Sequence, residues 1–316
     1  MILFNKTGEG SREIAEIIGL ISTDVDFGKW EAVLPFGVRD VKAIIGPEPV
    51  AALAHIYEEL DVYEDVGEPL ALALKYLRQA VAFFAWLKII PTLDAQHDAS
   101  GRSRRLGENE KGLTALQEFK DEENIRHLAY EAVDALIEVM EREEFSFWTD
   151  SKKYRLRKRL LIRSKEEFDE YYNIGSHRLF VTLLPIIREV QEAHVTPILG
   201  REYLSMLLSG KRSEAARLLR EPASRAVALL TMQKAIERLP VEVIPNGVVQ
   251  VQQSQPVNSR LRAEQSARAA VASSLGADAR KYLETLQDTV AQLNDDTKDA
   301  APYVARPIVH SKGMTF

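Results

Sequence analysis

Histidine is the first place to look for chemistry in this chain, because imidazole titrates near neutral pH and ligates metals. The six are His55, His97, His127, His177, His194 and His310. No two have the spacing of a helical zinc site, and no glutamate joins them in the metalloprotease arrangement. His97-Asp98 has the right donor types for a metal, but a solvated loop histidine is the simpler reading. Cysteine is absent, which excludes disulfides, iron–sulfur clusters, thiolate zinc sites and thiol nucleophiles. Gly8-Glu9-Gly10-Ser11 lacks the third glycine and the preceding strand of a dinucleotide site. Ser209-Gly210-Lys211 lacks the upstream glycine of a phosphate loop. Both read as turns. Glu122-Glu123 and Glu143-Glu144 fall in charged helical stretches and read as solvated faces. A Ser-His-Asp triad is recognised by geometry, which spacing does not supply. The expectation is a protein that is not an enzyme and that needs no cofactor or metal.

Charge offers a second kind of chemistry. The formal net charge is −6, and nucleic-acid binding usually announces itself with a basic face. Two local exceptions stand out: the run Lys152, Lys153, Arg155, Arg157, Lys158 and Arg159, and the loop arginines Arg102, Arg104 and Arg105. The run reads most simply as a solvated linker, with contact to DNA or an acidic partner as the alternative. No interleaved aromatics or helix–turn–helix pattern accompany either group.

The elements that must position these residues are mostly helical. A chain of 316 residues, 46% hydrophobic and 28% charged, predicts about two domains of ordinary globular composition. The apolar run at the start is too short for a signal peptide. Residues 70–90 carry Lys75, Arg78 and Lys88, so they read as a buried helix in a protein made inside the cell, with no membrane partner. Leu70, Leu74, Leu77, Val81 and Phe84 share one helical face, as do Ile125, Leu128, Val133, Leu136 and Met140. Leu229, Met232, Ile236 and Leu239 mark a third face, and Leu283, Leu286, Val290 and Leu293 a fourth. Pro185 suits a first helical turn. Helix breaks are expected at Gly46-Pro47 and at Pro197–Gly200, with a new helix from Arg201 or Glu202.

One stretch reads as strand. Val241, Val243, Val249 and Val251 flank Asn246-Gly247, a sequence suited to a tight hairpin turn. Residues 92–105 form a more polar counterpart expected to turn at Gly101. Between Phe145 and Ile162 lies a junction that Phe145, Phe147, Trp148 and Tyr154 are placed to pin, with 155–162 a short extended segment. After Asn294 the period is lost, and residues 294–316 read as an arm with Tyr303, Val304, Ile308, Val309 and Phe316 as anchors.

The chain also matches itself. At a shift of 154 residues, Glu13, Glu16, Ser22, Val41, Ile44, Gly46, Glu48 and Leu53 fall on Glu167, Glu170, Ser176, Val195, Ile198, Gly200, Glu202 and Leu207. At a shift of 146, Ala80, Val81, Ala82, Lys88, Ile90, Leu93 and Gly101 fall on Ala226, Val227, Ala228, Lys234, Ile236, Leu239 and Gly247. One eight-residue insertion near residues 61–69 joins the registers. Identity is low, but two collinear blocks predict a tandem duplication: residues 1–150, then 151–293, then the arm 294–316. The expected fold class is mainly α with β-hairpins, each copy a helical unit with a hairpin or loop projecting between helices.

The motifs Phe180-x3-Leu184-Pro185, Val195-x-Pro197-Ile198-Leu199-Gly200-x-Glu202 and Ala226-Val227-Ala228 carry a resemblance. So do their partners Val41-x2-Ile44-Ile45-Gly46-x-Glu48 and Ala80-Val81-Ala82, with Phe147-Trp148-Thr149-Asp150-Ser151 and Glu167-Phe168. The pattern over residues 10–293 is similar to the head–tail connector, or adaptor, proteins of tailed bacteriophages, in a two-copy form found in phages and prophages of gut bacteria. The first copy diverges, since Gly46 lacks the nearby preceding proline that Gly200 has. The resemblance implies a homo-oligomeric ring, commonly of twelve subunits, in the neck of a virion assembled in the host bacterial cytoplasm. Such a ring sits below the portal protein, meets tail or second neck-ring proteins, and passes double-stranded DNA without sequence specificity. The hairpin residues Val241, Val243, Asn246, Gly247, Val249 and Val251 and the arm residues Tyr303, Val304, Ile308 and Phe316 are then the expected interface. Another phage ring or tail-completion component, or a helical protein-binding scaffold, are the alternatives.

Overall fold

A computed structural model describes residues 3–19, 25–60, 67–98, 101–104, 113–239 and 257–299. The chain is mostly helical. Its elements are α1 (Gly10–Ile18), α2 (Phe27–Ile45), α3 (Pro47–Glu59), α4 (Glu68–Asp94), β1 (Ala95–Asp98), β2 (Gly101–Arg104), α5 (Ala115–Arg142), α6 (Ser146–Thr149), α7 (Lys152–Arg157), α8 (Lys165–Asp169), α9 (His177–Val190), α10 (Thr196–Leu208), α11 (Glu214–Arg238) and α12 (Val257–Asp299). A π turn, Gln191–Val195, joins α9 to α10.

Local chemistry sets six of these twelve helix starts. Asp26, Thr114, Ser151, Ser164, Ser176 and Ser213 each accept a hydrogen bond from a main-chain N–H of the helix they precede. These N–H groups have no partner within the helix. Thr114 and Gln117 bond reciprocally at the head of α5.

The helical faces read from periodicity form one large hydrophobic core, with Ile236 in a small cluster of its own beside Ala272. Leu74, Leu77, Val81 and Phe84 of α4 are buried with Ile125, Val133, Leu136 and Met140 of α5. Each such side chain contributes roughly 1.5–3 kcal/mol. α4 is long and apolar enough to cross a membrane by length and composition, and 56% of that stretch is buried inside the protein. Trp30 of α2, fully buried, stacks on Trp86 of α4 at 5.4 Å. Residues 160–162 and the helices α9 and α11 join the same core.

Two arrangements run in parallel. α4 packs against α2 and α5, and α11 packs against α9 and α12. Between α2 and α3 stands Gly46, with φ 94° and ψ 164°, and within α10 stands Gly200, with φ 66° and ψ −179°. Both values lie in a region that essentially only glycine occupies. Ala80, Val81 and Ala82 are fully buried in α4, as are Ala226, Val227 and Ala228 in α11.

Several expectations are corrected. Pro185 lies inside α9, because Ser176 starts that helix; proline there removes one interior hydrogen bond. Residues 152–157 are helical, capped by Ser151, and 158–161 follow as turn and bend, so the extended segment expected over 155–162 does not form. Helix α12 continues to Asp299, so the helix outlasts the apolar period and the expected arm begins as helix. α4 runs to Asp94, and Gly101 opens β2, paired with Asp98, so Gly101 is a strand residue and not the turn expected there. This ribbon of two four-residue strands is the only strand pairing among the described residues. Beyond this one short ribbon the described residues are helix and connecting loop, so the fold class is helical and β-hairpins are not supported as a repeated component of it. The hairpin expected at 241–251 lies outside the described residues, as do Arg105 and the arm anchors.

Candidate functional site

The basic run at the junction divides into two kinds of residue. Lys152, Arg155, Lys158 and Arg159 are exposed, and Arg155 pairs with Asp150 at 3.0 Å. Arg157 is buried. Its guanidinium meets the Glu141 carboxylate at 2.7 Å and lies 5.0–5.5 Å from the rings of Trp148, Tyr154 and Phe180. The solvated-linker reading fails for Arg157, because three aromatic rings and a carboxylate replace its water. Lys153 is half-buried and donates to the main-chain oxygens of Ala43 and Ile44. Burial pushes its ammonium pKa down. Phe145 stacks on Phe147 at 5.0 Å, and Trp148 is fully buried, so the junction aromatics are in the core or against it.

Helix α5 presents two carboxylates to this junction, seven residues apart on one face. Asp134 accepts hydrogen bonds from the Ser176 hydroxyl at 2.9 Å and from the Arg178 main-chain N–H at 2.7 Å. A carboxylate at the N-terminus of a helix is favoured by the helix dipole. The Arg178 guanidinium lies 4.1 Å from the Tyr130 ring centroid, and burial pushes its pKa down. Glu141 stands 3.7 Å from His177 Nδ1 as well as against Arg157. Burial pushes Glu141 up, but His177 and Arg157 outweigh it and hold the carboxylate below its usual range. Burial likewise lowers His177, and the Glu141 carboxylate outweighs that and raises it.

The π turn completes the junction. It carries Gln191, buried, whose amide oxygen accepts from Leu161 N at 2.8 Å and whose amide nitrogen donates to the Arg159 carbonyl at 3.0 Å. These bonds serve main-chain groups beside the buried residues Leu160, Leu161 and Ile162, which need partners away from water. The cluster neutralises buried charge and fixes α7 and α9 against α5.

Arg102 and Arg104 lie on β2, opposite His97 and Ala95. Among the described residues, no group of three or more histidine, aspartate or glutamate side chains is placed to hold a metal.

An open cleft of about 830 Å³ lies at the head of α11. Five cations line it, Lys211, Arg212, Arg217, Arg220 and Arg225, against the three carboxylates Glu170, Glu214 and Glu221. Arg225 pairs with Glu221 at 3.0 Å, and Arg220 donates to the Leu207 carbonyl at 2.7 Å. Lys211, Arg212 and Arg217 are exposed. Sequence reasoning stopped at Ser209-Gly210-Lys211, which is a turn with Gly210 at φ 71°. Counting cations across 211–225 would have found the cleft's chemistry; counting for a phosphate loop did not.

The model of a family of unknown function, DUF6712, matches residues 50–158 and 189–299, two segments in tandem. Together they span well over half of the chain, and the chain belongs to that family. No curated protein and no solved structure is significantly similar to the chain.

Proposed function

We propose that this member of the DUF6712 family is a non-enzymatic structural protein of the neck of a tailed bacteriophage. It assembles into a homo-oligomeric ring below the portal, joins head to tail and lines the DNA channel. The proposal includes tandem duplication of one helical unit, residues 1–150 and 151–293. One observation carries it. The order of helix, glycine break, helix and long central helix occurs twice, with Gly46 and Gly200 in the same glycine-only region of backbone space. The glycines and the buried Ala-Val-Ala triplets are the positions on which the resemblance to two-copy connectors rests. The two-segment family match supports the same reading. A net negative chain suits a surface past which DNA slides, since like charge repels the phosphate backbone.

Electron microscopy tests this on the full chain, at high concentration and mixed with a portal protein from the genome that encodes it. The expected result is closed rings, commonly of twelve subunits, stacked coaxially on the portal. A chain that stays monomeric alone and with the portal overturns the ring and leaves a helical protein-binding scaffold.

A further inference from the structure

Two surfaces far apart in the sequence have opposite character. The first is the N-terminal end of α5. Leu116 and Phe119 are 63% and 51% exposed there, and Leu113, just before the helix, is 53% exposed. These are three of the five large apolar side chains that stand out as exposed among the described residues. Leu116, Phe119 and Glu123 share one helical face, and Glu122 lies beside Phe119. From Glu118 to Glu123 the helix carries four carboxylates and one lysine. The second surface is the cleft at the head of α11, where Lys211, Arg212, Arg217 and Arg220 outnumber Glu170 and Glu214 once Arg225 and Glu221 have paired. Leu218, next to the cleft residue Arg217 in sequence, is 43% exposed, and Tyr171 is among the residues lining the cleft.

We propose that these surfaces bind each other between two copies of the chain, the acidic apolar end of α5 from one copy seating in the cationic cleft of the next. Charge selects this pairing. Two α5 ends placed together would repel, as would two clefts, whereas one of each is complementary. Apolar area supports it: Leu116 and Phe119 meet the Leu218 and Tyr171 edge, removing from water side chains that are otherwise exposed together. Because the two surfaces are different patches of one chain, the contact is head-to-tail. Repeated contacts of this kind close into a ring or run on as a filament. The inference rests on the chain being self-assembling, and it names the contact by which it assembles.

The experiment is sedimentation velocity on the full chain over a concentration series, alone and in mixtures. Arg212→Glu with Arg217→Glu reverses the cleft; Glu122→Lys with Glu123→Lys reverses the α5 end. Each doubly substituted chain should associate more weakly than wild type by on the order of tenfold or more. Mixing the two in equal amounts should restore assembly, because each then finds its complement in the other. Restoration rules out misfolding as the cause of loss. If wild type assembles and both reversed chains assemble equally well, this contact is wrong and the ring stands. Loss without restoration on mixing also overturns the contact. If wild type never assembles, contact and ring fail together. Phosphate or DNA binding that disappears with Arg212→Glu/Arg217→Glu while assembly is intact would make the cleft an anion site and overturn the pairing.

Discussion

The ammonium group of Lys153 donates to the main-chain oxygen of Ile44 at 2.5 Å, and to that of Ala43 at 2.8 Å, one turn before the break at Gly46. The last carbonyls of a helix have no partner inside it, and here a side chain more than a hundred residues away supplies one. Lys153→Met keeps the apolar stem and removes the donor. It should cost about 1–3 kcal/mol, the range for leaving a partly buried acceptor unsatisfied. Urea denaturation followed by circular dichroism measures this. A change within error of zero would mean that water serves the end of α2 equally well.

Gly46→Ala and Gly200→Ala should each destabilise the fold by about 1–3 kcal/mol, because alanine is strained at these φ/ψ values. The two should not be equal. Nothing lies within 4 Å of a Cβ built at Gly200, whereas one built at Gly46 meets a carboxylate oxygen of Glu48 at 3.0 Å. Gly46→Ala is therefore expected to be the costlier by denaturant midpoint. A neutral Gly200→Ala would show that the α10 kink relaxes freely.

Arg157→Met should be among the most damaging single changes at the junction, at about 3–5 kcal/mol, since it takes the closer of two counter-charges from Glu141 and leaves only His177 at 3.7 Å in a largely buried setting. Glu141→Gln combined with Arg157→Met should lose less than Arg157→Met alone, because the stranded charge is gone. A double-mutant cycle on unfolding free energy decides it. Simple additivity would mean that the aromatic cage, and not the ion pair, holds Arg157 in place.

The histidine beside the same carboxylate gives a pH dependence. His177 is raised above its ordinary 6.5 in the folded chain, so the folded state binds more protons than the unfolded state in the window above 6.5. Stability from this pair is full below pH 6.5 and is lost as pH rises through the folded value. Glu141, held below 4.5, acts oppositely: its contribution is present above 4.5 and is lost as pH falls through the folded value. Wild type should lose stability as the pH rises above 6.5, and His177→Gln should lose less over the same rise. Parallel curves would assign the loss to other groups.

What the sequence by itself determined are the features that act within a turn or two of chain. The apolar stripes of α4, α5, α11 and α12 lie on the faces their periodicity marks, and the breaks at Gly46 and Gly200 are where glycine and proline put them. Both signals depend on neighbours three or four residues away, so no distant contact is needed to read them. Tertiary structure alone decided the fate of the basic run. Arg157 is buried because Glu141 and three rings meet it, and Lys153 is held because α2 happens to end beside it. Nothing in Lys-Lys-Tyr-Arg-Leu-Arg separates these two from their exposed neighbours. Pro185 was misplaced for a related reason: proline is compatible with a first turn, and only the capping of α9 by Ser176 and Asp134 shows that the helix had already begun. The cationic cleft combines residues 170–171 with residues 210–225. Its charges were visible in the sequence, but their convergence on one space depends on how α11 packs, which no local pattern encodes.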